Sequence, residues 1–519
     1  MESRSLRVVF ERAELAALRT PLLCVPLFEG ESFQSGPLDE ATGGVLAAVA
    51  RSGDFTGKLG SQALVYNPRD RGPHRVLLIG VGRAEDLDLE RVRQTAARFT
   101  RRAMELQVTE AAILFPRRAK IEVQALAQAL TEGLMLGEYK FDRYLTSPTP
   151  PKDGGGKRLR TVTLVALRDV HPKSVRSGIE RGAILSDVVC RVRDMVNAPA
   201  NELTPSSLAE RAAAAASAHD FSCQVFEKRD MQKLGMGGLL AVASGSDQPP
   251  KFIVLEYNGT APKTTPFVFV GKGLTFDAGG LCLKPAPKMD EMKGDMAGGA
   301  AVIGAVEAVA RLRIPARVIG LVPATENLLG GSAYRPGDIL RMMSGKTVFV
   351  DNTDAEGRII LGDALTYAQR YEPRAIVDLA TLTGAALVAL GQVATAVVAT
   401  DRNLVDDLKA AGDRTFERLW ELPLWQEFED LIKSPIADIK NSGGKNGGVI
   451  TAAAFLRHFV GTTPWAHLDI AGTAYLDKAE GYRPAGATGV GVRLLADFVE
   501  VQVSKRRPAR PRRRGRAKA

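Results

Sequence analysis

The chain has 519 residues, with 69 Lys and Arg against 59 Asp and Glu and a formal charge of +10. That length exceeds what one hydrophobic core serves, so at least two domains are expected. A hydrophobic content of 45% and a charged content of 25% exclude a wholly disordered chain, a collagen-like chain and a membrane bundle.

The first residues, MESRSLRVVFERAEL, contain no apolar run of the kind a secretory signal needs. Val76 to Ile79 reads as a buried strand, and Leu87 to Ala103 as a helix. The strand leads into Gly80-Val81-Gly82, but a dinucleotide fingerprint needs a third glycine where Glu85 stands. Residues 147–158, SPTPPKDGGGKR, form a loop by composition. A strand over Thr161 to Leu167 follows, and Ser174 to Val196 has helical spacing. We take that helix as the connector between two domains.

From about residue 200 the rhythm is α/β. Short β-branched or aromatic runs occur at 252–255, 267–270, 318–322, 348–350 and 376–377, with helical segments between several of them. The pattern predicts an N-terminal α/β domain over 1–172 and a larger C-terminal α/β domain over 173–503. The second would hold a central mixed sheet covered by helices. Active sites of such sheets form beyond the carboxyl ends of strands. Two polar clusters stand there. One follows the 267–270 run: Gly271-Lys272-Gly273-Leu274-Thr275-Phe276-Asp277, then Lys284 and Asp295. The other follows 348–350: Asp351-Asn352-Thr353-Asp354-Ala355-Glu356-Gly357-Arg358.

Several other chemistries fail on register. Gly345-Lys346-Thr347 would end a phosphate-binding loop only if position 340 were glycine, and it is Leu340. A calcium loop over Asp351 to Glu356 would want acids or amides at Thr353 and Ala355. Ser442 and Lys445 fit S-x-x-K without a partner motif. Cys24, Cys190, Cys223 and Cys282 are far apart, so neither a zinc knuckle nor a disulfide framework is indicated. The five histidines show no paired spacing, and His467 reads as a core or supporting residue. Taken singly, Asp295 and Asp354 could be helix caps. Taken together, the acids suit a carboxylate-built metal centre, because acids crowded into one cleft need cations. Two divalent ions would neutralise them and activate water, and Lys284 and Arg358 would add positive charge for a developing oxyanion.

At this point the motifs match a family. NTDAEGR at 352–358 and VGKGLTFDAGG at 270–280 resemble the signatures of the leucyl (cytosol) aminopeptidases, the dinuclear-metal M17 peptidases. PATEN at 323–327, RPGDIL at 335–340, DLATLTGA at 378–385 and WAHLDIAG at 465–472 resemble the same family in the same order. The likeness spans about 175–500 and is weaker over 1–174. It implies that Lys272, Asp277, Asp295, Asp354 and Glu356 are metal ligands, Asp277 and Glu356 bridging two ions. Lys284 and Arg358 match the catalytic residues that hold no metal, and Met292, Thr381 and Gly384 match the lining of the side-chain pocket. The ions implied are Mn²⁺ or Zn²⁺, with Mg²⁺ and Co²⁺ as further candidates. The implied reaction is hydrolysis of an N-terminal residue, Leu preferred, from a peptide. A water between the ions attacks, and a bicarbonate held by Arg358 takes its proton. The resemblance also implies a homohexamer. Ala278 and the helix mouth GDMAGGAAV depart from the family's more usual residues, but no ligand position is lost.

The basic excess is local. Residues 505–519, KRRPARPRRRGRAKA, hold nine Lys and Arg and no acid, and removing them leaves 60 basic against 59 acidic residues. Such a run cannot bury apolar surface, so 504–519 is expected to be a disordered tail. It is either a solvated appendage or an electrostatic arm for nucleic acid or acidic membrane, the alternative function being a DNA-binding or architectural role compatible with peptidase activity. The apolar stretch from Ala385 to Thr400 is too short for a membrane helix and is broken by Gln392. The expectation is therefore a reduced, cytoplasmic protein without a membrane segment.

Overall fold

The structure, a computed structural model, describes residues 6–14, 16–31, 36–115, 121–146, 158–166, 170–259 and 264–505. The chain forms two compact units: residues 1–197 with 475–489, and residues 198–474 with 490–519.

The first unit contains strands β1 (Arg7–Arg12), β2 (Leu23–Leu27), β3 (Gln62–Tyr66), β4 (Arg75–Gly80), β5 (Glu110–Leu114) and β6 (Thr161–Ala166). Its helices are α1 (Pro37–Ala41), α2 (Val45–Ser52), α3 (Leu89–Glu105), α4 (Val123–Glu138) and α5 (Pro172–Asn197). The strands form one sheet in the order β1-β6-β5-β2-β4-β3, parallel throughout except for the edge strand β3. Alternation along β2 and β4 separates its two faces. Leu22, Cys24, Leu77 and Ile79 pack into a core with α3, α4 and the start of α5, whereas Leu23, Val25, Val76 and Leu78 pack with α1 and α2. The expected strand at 76–79 and helix at 87–103 are present. The expected loop at 147–158 lies, apart from Arg158, outside the described residues. Helix α5 is continuous but falls in the first unit, whereas the sequence pattern assigns it to the 173–503 domain. It is built into the first unit, because Val175, Ile179 and Ala183 join the α3–α4 core.

The second unit is organised around β7 (Ser222–Phe226), β8 (Lys251–Asn258), β9 (Phe267–Gly271), β10 (Gly273–Asp277), β11 (Arg317–Asn327), β12 (Ile339–Arg341), β13 (Thr347–Phe349), β14 (Ala375–Ala380), β15 (Thr395–Ala399), β16 (Leu419–Glu421), β17 (Ile439–Lys440) and β18 (Trp465–Asp469). Its helices are α6 (Pro205–His219), α7 (Lys228–Leu234), α8 (Gly237–Val242), α9 (Ala297–Arg311), α10 (Glu356–Ala368), α11 (Gly384–Leu390), α12 (Arg402–Thr415), α13 (Gln426–Asp430), α14 (Gly448–Arg457) and α15 (Val492–Lys505). The main sheet runs β16-β15-β18-β14-β9-β11-β8-β7, with β10 added alongside β11. The central pairs β18/β14, β14/β9 and β9/β11 are parallel, whereas β8 and β7 continue antiparallel, so the sheet is mixed as expected. Val268, Val270, Ile319, Leu321 and Ile376 pack into the core that holds α8, α10 and α14. On the opposite face, Phe267 meets Phe498 of α15 edge-on.

One sequence reading needs refinement. The run at 348–350 is not a strand of the main sheet. β13 pairs with β12 and β17 in a separate three-stranded sheet. The tail reading also shifts, because α15 continues through Lys505, whose ammonium pairs with Asp407. Residues 506–519 lie outside the described residues.

Helix α9 is buried from Ala297 to Ala310, and its small residues let it press onto the sheet. A Cβ on Gly298 would lie 2.1 Å from the Leu379 carbonyl oxygen of β14. The Gly299 amide donates to the Lys272 carbonyl at 2.7 Å, and the Lys272 amide donates to Leu379 at 3.0 Å. Close approach at Gly298 therefore sets the start of α9 against the loop that carries Lys272. An alanine there would gain roughly 1 kcal/mol of helix propensity, but displacing backbone costs more. Gly298→Ala should lower the stability of the protein by on the order of 3 kcal/mol in urea unfolding; an unchanged midpoint would contradict this packing.

Candidate metal centre and active site

The polar clusters meet beyond the carboxyl ends of the central strands. Lys272 follows β9, Asp277 ends β10, Thr381 follows β14, and Asp295 lies in the turn before α9. Asp354 and Glu356 arrive from the second sheet, Glu356 as the first residue of α10. A carboxylate at a helix N-terminus is favoured by the exposed amides and the helix dipole. Gly357 follows it for a steric reason, because a Cβ there would sit 2.7 Å from Cε of Lys272.

Two ammonium groups hold four carboxylates. Nζ of Lys272 lies 2.6 Å from Oδ2 of Asp295 and 2.8 Å from Oε1 of Glu356. Nζ of Lys284 lies 2.7 Å from Oδ2 of Asp277 and 2.5 Å from Oδ1 of Asp354. Asp277, Asp354 and Glu356 each place an oxygen within 4.8 Å of the others. All but Lys284 and Asp354 are buried. Asp295 and Asp354 do not cap α9 or α10. The residues at the cap positions of α9 and α10 are Met296 and Ala355, and neither makes a side-chain capping bond.

Crowding shows in the protonation equilibria. Burial pushes the Asp277 carboxyl up to about 7, and Glu356 and Asp295 push in the same direction against Lys284 and Lys272. Burial likewise raises Asp295 to about 6, although Lys272 opposes it. Asp354 is raised, chiefly by burial. Glu356 is also penalised by burial, but Lys272 and Lys284 outweigh that and hold it below its ordinary value. Burial disfavours the charged form of Lys272, yet Asp295, Glu356 and Asp277 more than compensate and raise it. Even with these charges adjacent, Oε2 of Glu356 is buried without a hydrogen-bond partner. A carboxylate oxygen in that position is suited to a cation.

Arg358, on the first turn of α10, is 8% exposed and makes no hydrogen bond or salt bridge to a described residue. Burial lowers its guanidinium to about 10, against the pull of Glu356 and Asp469. A buried cation with free donors is suited to an anion. Of the expected pocket residues, Thr381 donates from Oγ1 to Oδ1 of Asp295 at 2.6 Å. Met292 lies on the short turn before Asp295, and Gly384 opens α11 with free space where a side chain would be. His467 is fully buried with Nδ1 2.6 Å from Oδ1 of Asp378, the supporting role expected of it.

Sequence reasoning missed the amides and hydroxyls that hold these loops. Asn327 donates from Nδ2 to Oδ1 of Asp277 at 2.8 Å and to the Thr353 carbonyl at 3.1 Å, tying the two clusters together. Tyr334 donates to the same carbonyl at 2.6 Å. Asn441 accepts from the amides of Asp351 and Asn352 at 2.8 and 3.2 Å and donates to the Asn352 carbonyl at 2.6 Å. Asp469 accepts from the Leu382 amide at 3.1 Å and the Thr383 hydroxyl at 2.7 Å, fixing the loop after Thr381. Asn327 was visible within PATEN, but nothing in the sequence gives its contacts.

Comparison with known proteins gives the family. Residues 190–496 match the catalytic-domain model of the cytosol aminopeptidase family, and residues 24–148 match its N-terminal-domain model. A probable cytosol aminopeptidase of Roseiflexus castenholzii is 48% identical over 94% of this chain and 98% of its own length. One from Geobacter sulfurreducens is 46% identical over 90% and 93%. Among solved structures, a variant of tomato leucine aminopeptidase superposes with a TM-score of 0.85 at 31% identity, covering 96% of this chain and 98% of its own. The bottromycin maturation enzyme BotP in complex with Mn gives 0.82 at 33%, covering 93% and 99%. None of this supports the alternative nucleic-acid role for residues 505–519. The chain belongs to the cytosol aminopeptidase (M17) family and is a metallo-aminopeptidase, a hydrolase of peptide bonds.

Proposed function

We propose that Lys272, Asp277, Asp295, Asp354 and Glu356 would hold two divalent ions. The supporting observation is the convergence of four carboxylates on two ammonium groups, with Oε2 of Glu356 left without a partner. Mn²⁺ is favoured by the manganese complex of BotP; an oxygen-rich donor set otherwise discriminates weakly among Mn²⁺, Zn²⁺, Mg²⁺ and Co²⁺. When bound, the ions supply Lewis acidity toward the scissile carbonyl and activate water.

The chain's own residues do the rest. Lys272 is the unusual donor, since it must shed its proton and its ion pairs to offer a lone pair, which a dication favours. Lys284, partly exposed above Asp277 and Asp354, is placed to donate to the oxygen of the tetrahedral intermediate. Arg358 would offer its free donors to an anion such as bicarbonate, which would supply a general base. Met292, Thr381 and Gly384 border the pocket for the N-terminal side chain, and the space beside Gly384 suits a branched apolar residue such as Leu. Selectivity in such a pocket is modest, about 1–3 kcal/mol per methylene. A cytoplasmic location follows the naming of its relatives as cytosol aminopeptidases; among the described residues no helix is long and apolar enough to cross a membrane. Val388, Val393, Trp420 and Trp425 are exposed on the second unit, apolar surface of the kind that subunit contacts of a homohexamer would cover.

Turnover of Leu-p-nitroanilide by the purified protein with added Mn²⁺ tests the reading. Glu356→Ala should abolish turnover, and retention of the full rate would overturn the proposal. Lys284→Ala should lower kcat by roughly 10²–10³ with little change in KM; an effect confined to KM would assign Lys284 to binding alone. Asp354→Ala should lower metal content per chain in elemental analysis. Asn441→Ala, which releases the loop carrying Asp354, should lower metal affinity about 10–100-fold, and wild-type affinity would exclude its positioning role.

A further inference from the structure

The first unit carries a cavity of about 330 Å³ that the peptidase reading does not use. Its floor is the cross-strand pair Leu64 and Leu77, and its walls are Arg98, Arg101, Arg102 and Glu105 from α3, with Gln62 at the edge of β3. The three arginines stand at i, i+3 and i+4, so one helical turn aims all of them at one space. Arg102 pairs with Glu105 at 2.7 Å. Arg98 and Arg101 have no hydrogen bond or salt bridge to any described residue, and Nη1 of Arg98 is buried without a partner. Burial and the neighbouring Arg101 both disfavour the charge on Arg98. Two unpaired like charges at one concave wall cost stability unless an anion joins them.

We propose that this cavity binds a small molecule bearing a phosphate monoester. Three arginines against one glutamate leave a lining charge of +2, the match of a group that carries about −1.5 to −2 at neutral pH. Guanidinium forks bind phosphate oxygens in pairs. The leucine floor would take the apolar part of the molecule. A cavity of this size is at the small end of ligand sites, enough for a mononucleotide or a sugar phosphate and not for a polymer. The inference is independent of the metal site.

The test is the thermal unfolding midpoint of the full-length protein titrated with AMP, inorganic phosphate, adenosine, a duplex oligonucleotide and NaCl of matched ionic strength. AMP should raise the midpoint saturably, more tightly than inorganic phosphate, and adenosine should not. Arg98→Gln and the exposed Arg101→Gln should each weaken AMP at least tenfold, Arg101→Gln without disturbing the fold. No saturable response to AMP or phosphate, a response equal to that of NaCl, or AMP affinity unchanged in both variants would overturn the proposal. So would tighter binding of the duplex that is lost in the same variants.

Discussion

Four carboxylates, three of them buried, crowd around two lysines and repel one another, and the second unit is arranged around containing that repulsion. Lys272 and Lys284 neutralise half of the negative charge, and the amide of Asn327 holds Asp277 from the side. The remainder appears as carboxyl groups raised toward neutrality at Asp277 and Asp295. On the two-ion reading proposed above, divalent cations would add stability to such a site as well as reactivity. The cost of assembling the charges is borne by the fold and would be offset by ions bound there.

The containment depends on elements that are buried nearly all round. Helices α9 and α10 leave almost no residue at the surface, so neither can yield without breaking packing on several sides. Asp295 stands just before α9, and Glu356 and Arg358 open α10, where the sheet's strands also finish. The glycines at 298 and 357 serve one purpose at two scales. The first brings a helix onto the sheet, and the second makes room for a lysine side chain beside that helix's counterpart. Reactive groups are therefore held by backbone placement, with side-chain amides and hydroxyls securing the loops between.

Much of this was legible in the sequence, for identifiable reasons. Strands such as β4, β9 and β11 are buried over nearly their whole length and are centred on continuous apolar runs, and α3 and α5 keep helical spacing over many turns. The ligand candidates were legible because GKGLTFD and NTDAEGR place acids and glycines together at strand ends. What could not be read was partnership. β13 has the same β-branched character as a main-sheet strand, yet its neighbours lie in the second sheet, and three residues do not encode which strand they will pair with. Asn441 stands 90 residues from Asp351, and Asn327 stands 50 from Asp277; contacts across such distances leave no local pattern. The caps suggested for Asp295 and Asp354 were locally sensible, and were displaced by lysines brought in from elsewhere in the fold.

The most direct measurement is a titration of Mn²⁺ into chelator-stripped full-length protein, reading bound metal and hydrolysis of Leu-p-nitroanilide together. Two ions per chain, with turnover appearing only as they bind, is the result this account predicts. Full turnover in the stripped protein, or activity that saturates with no metal bound, would contradict it.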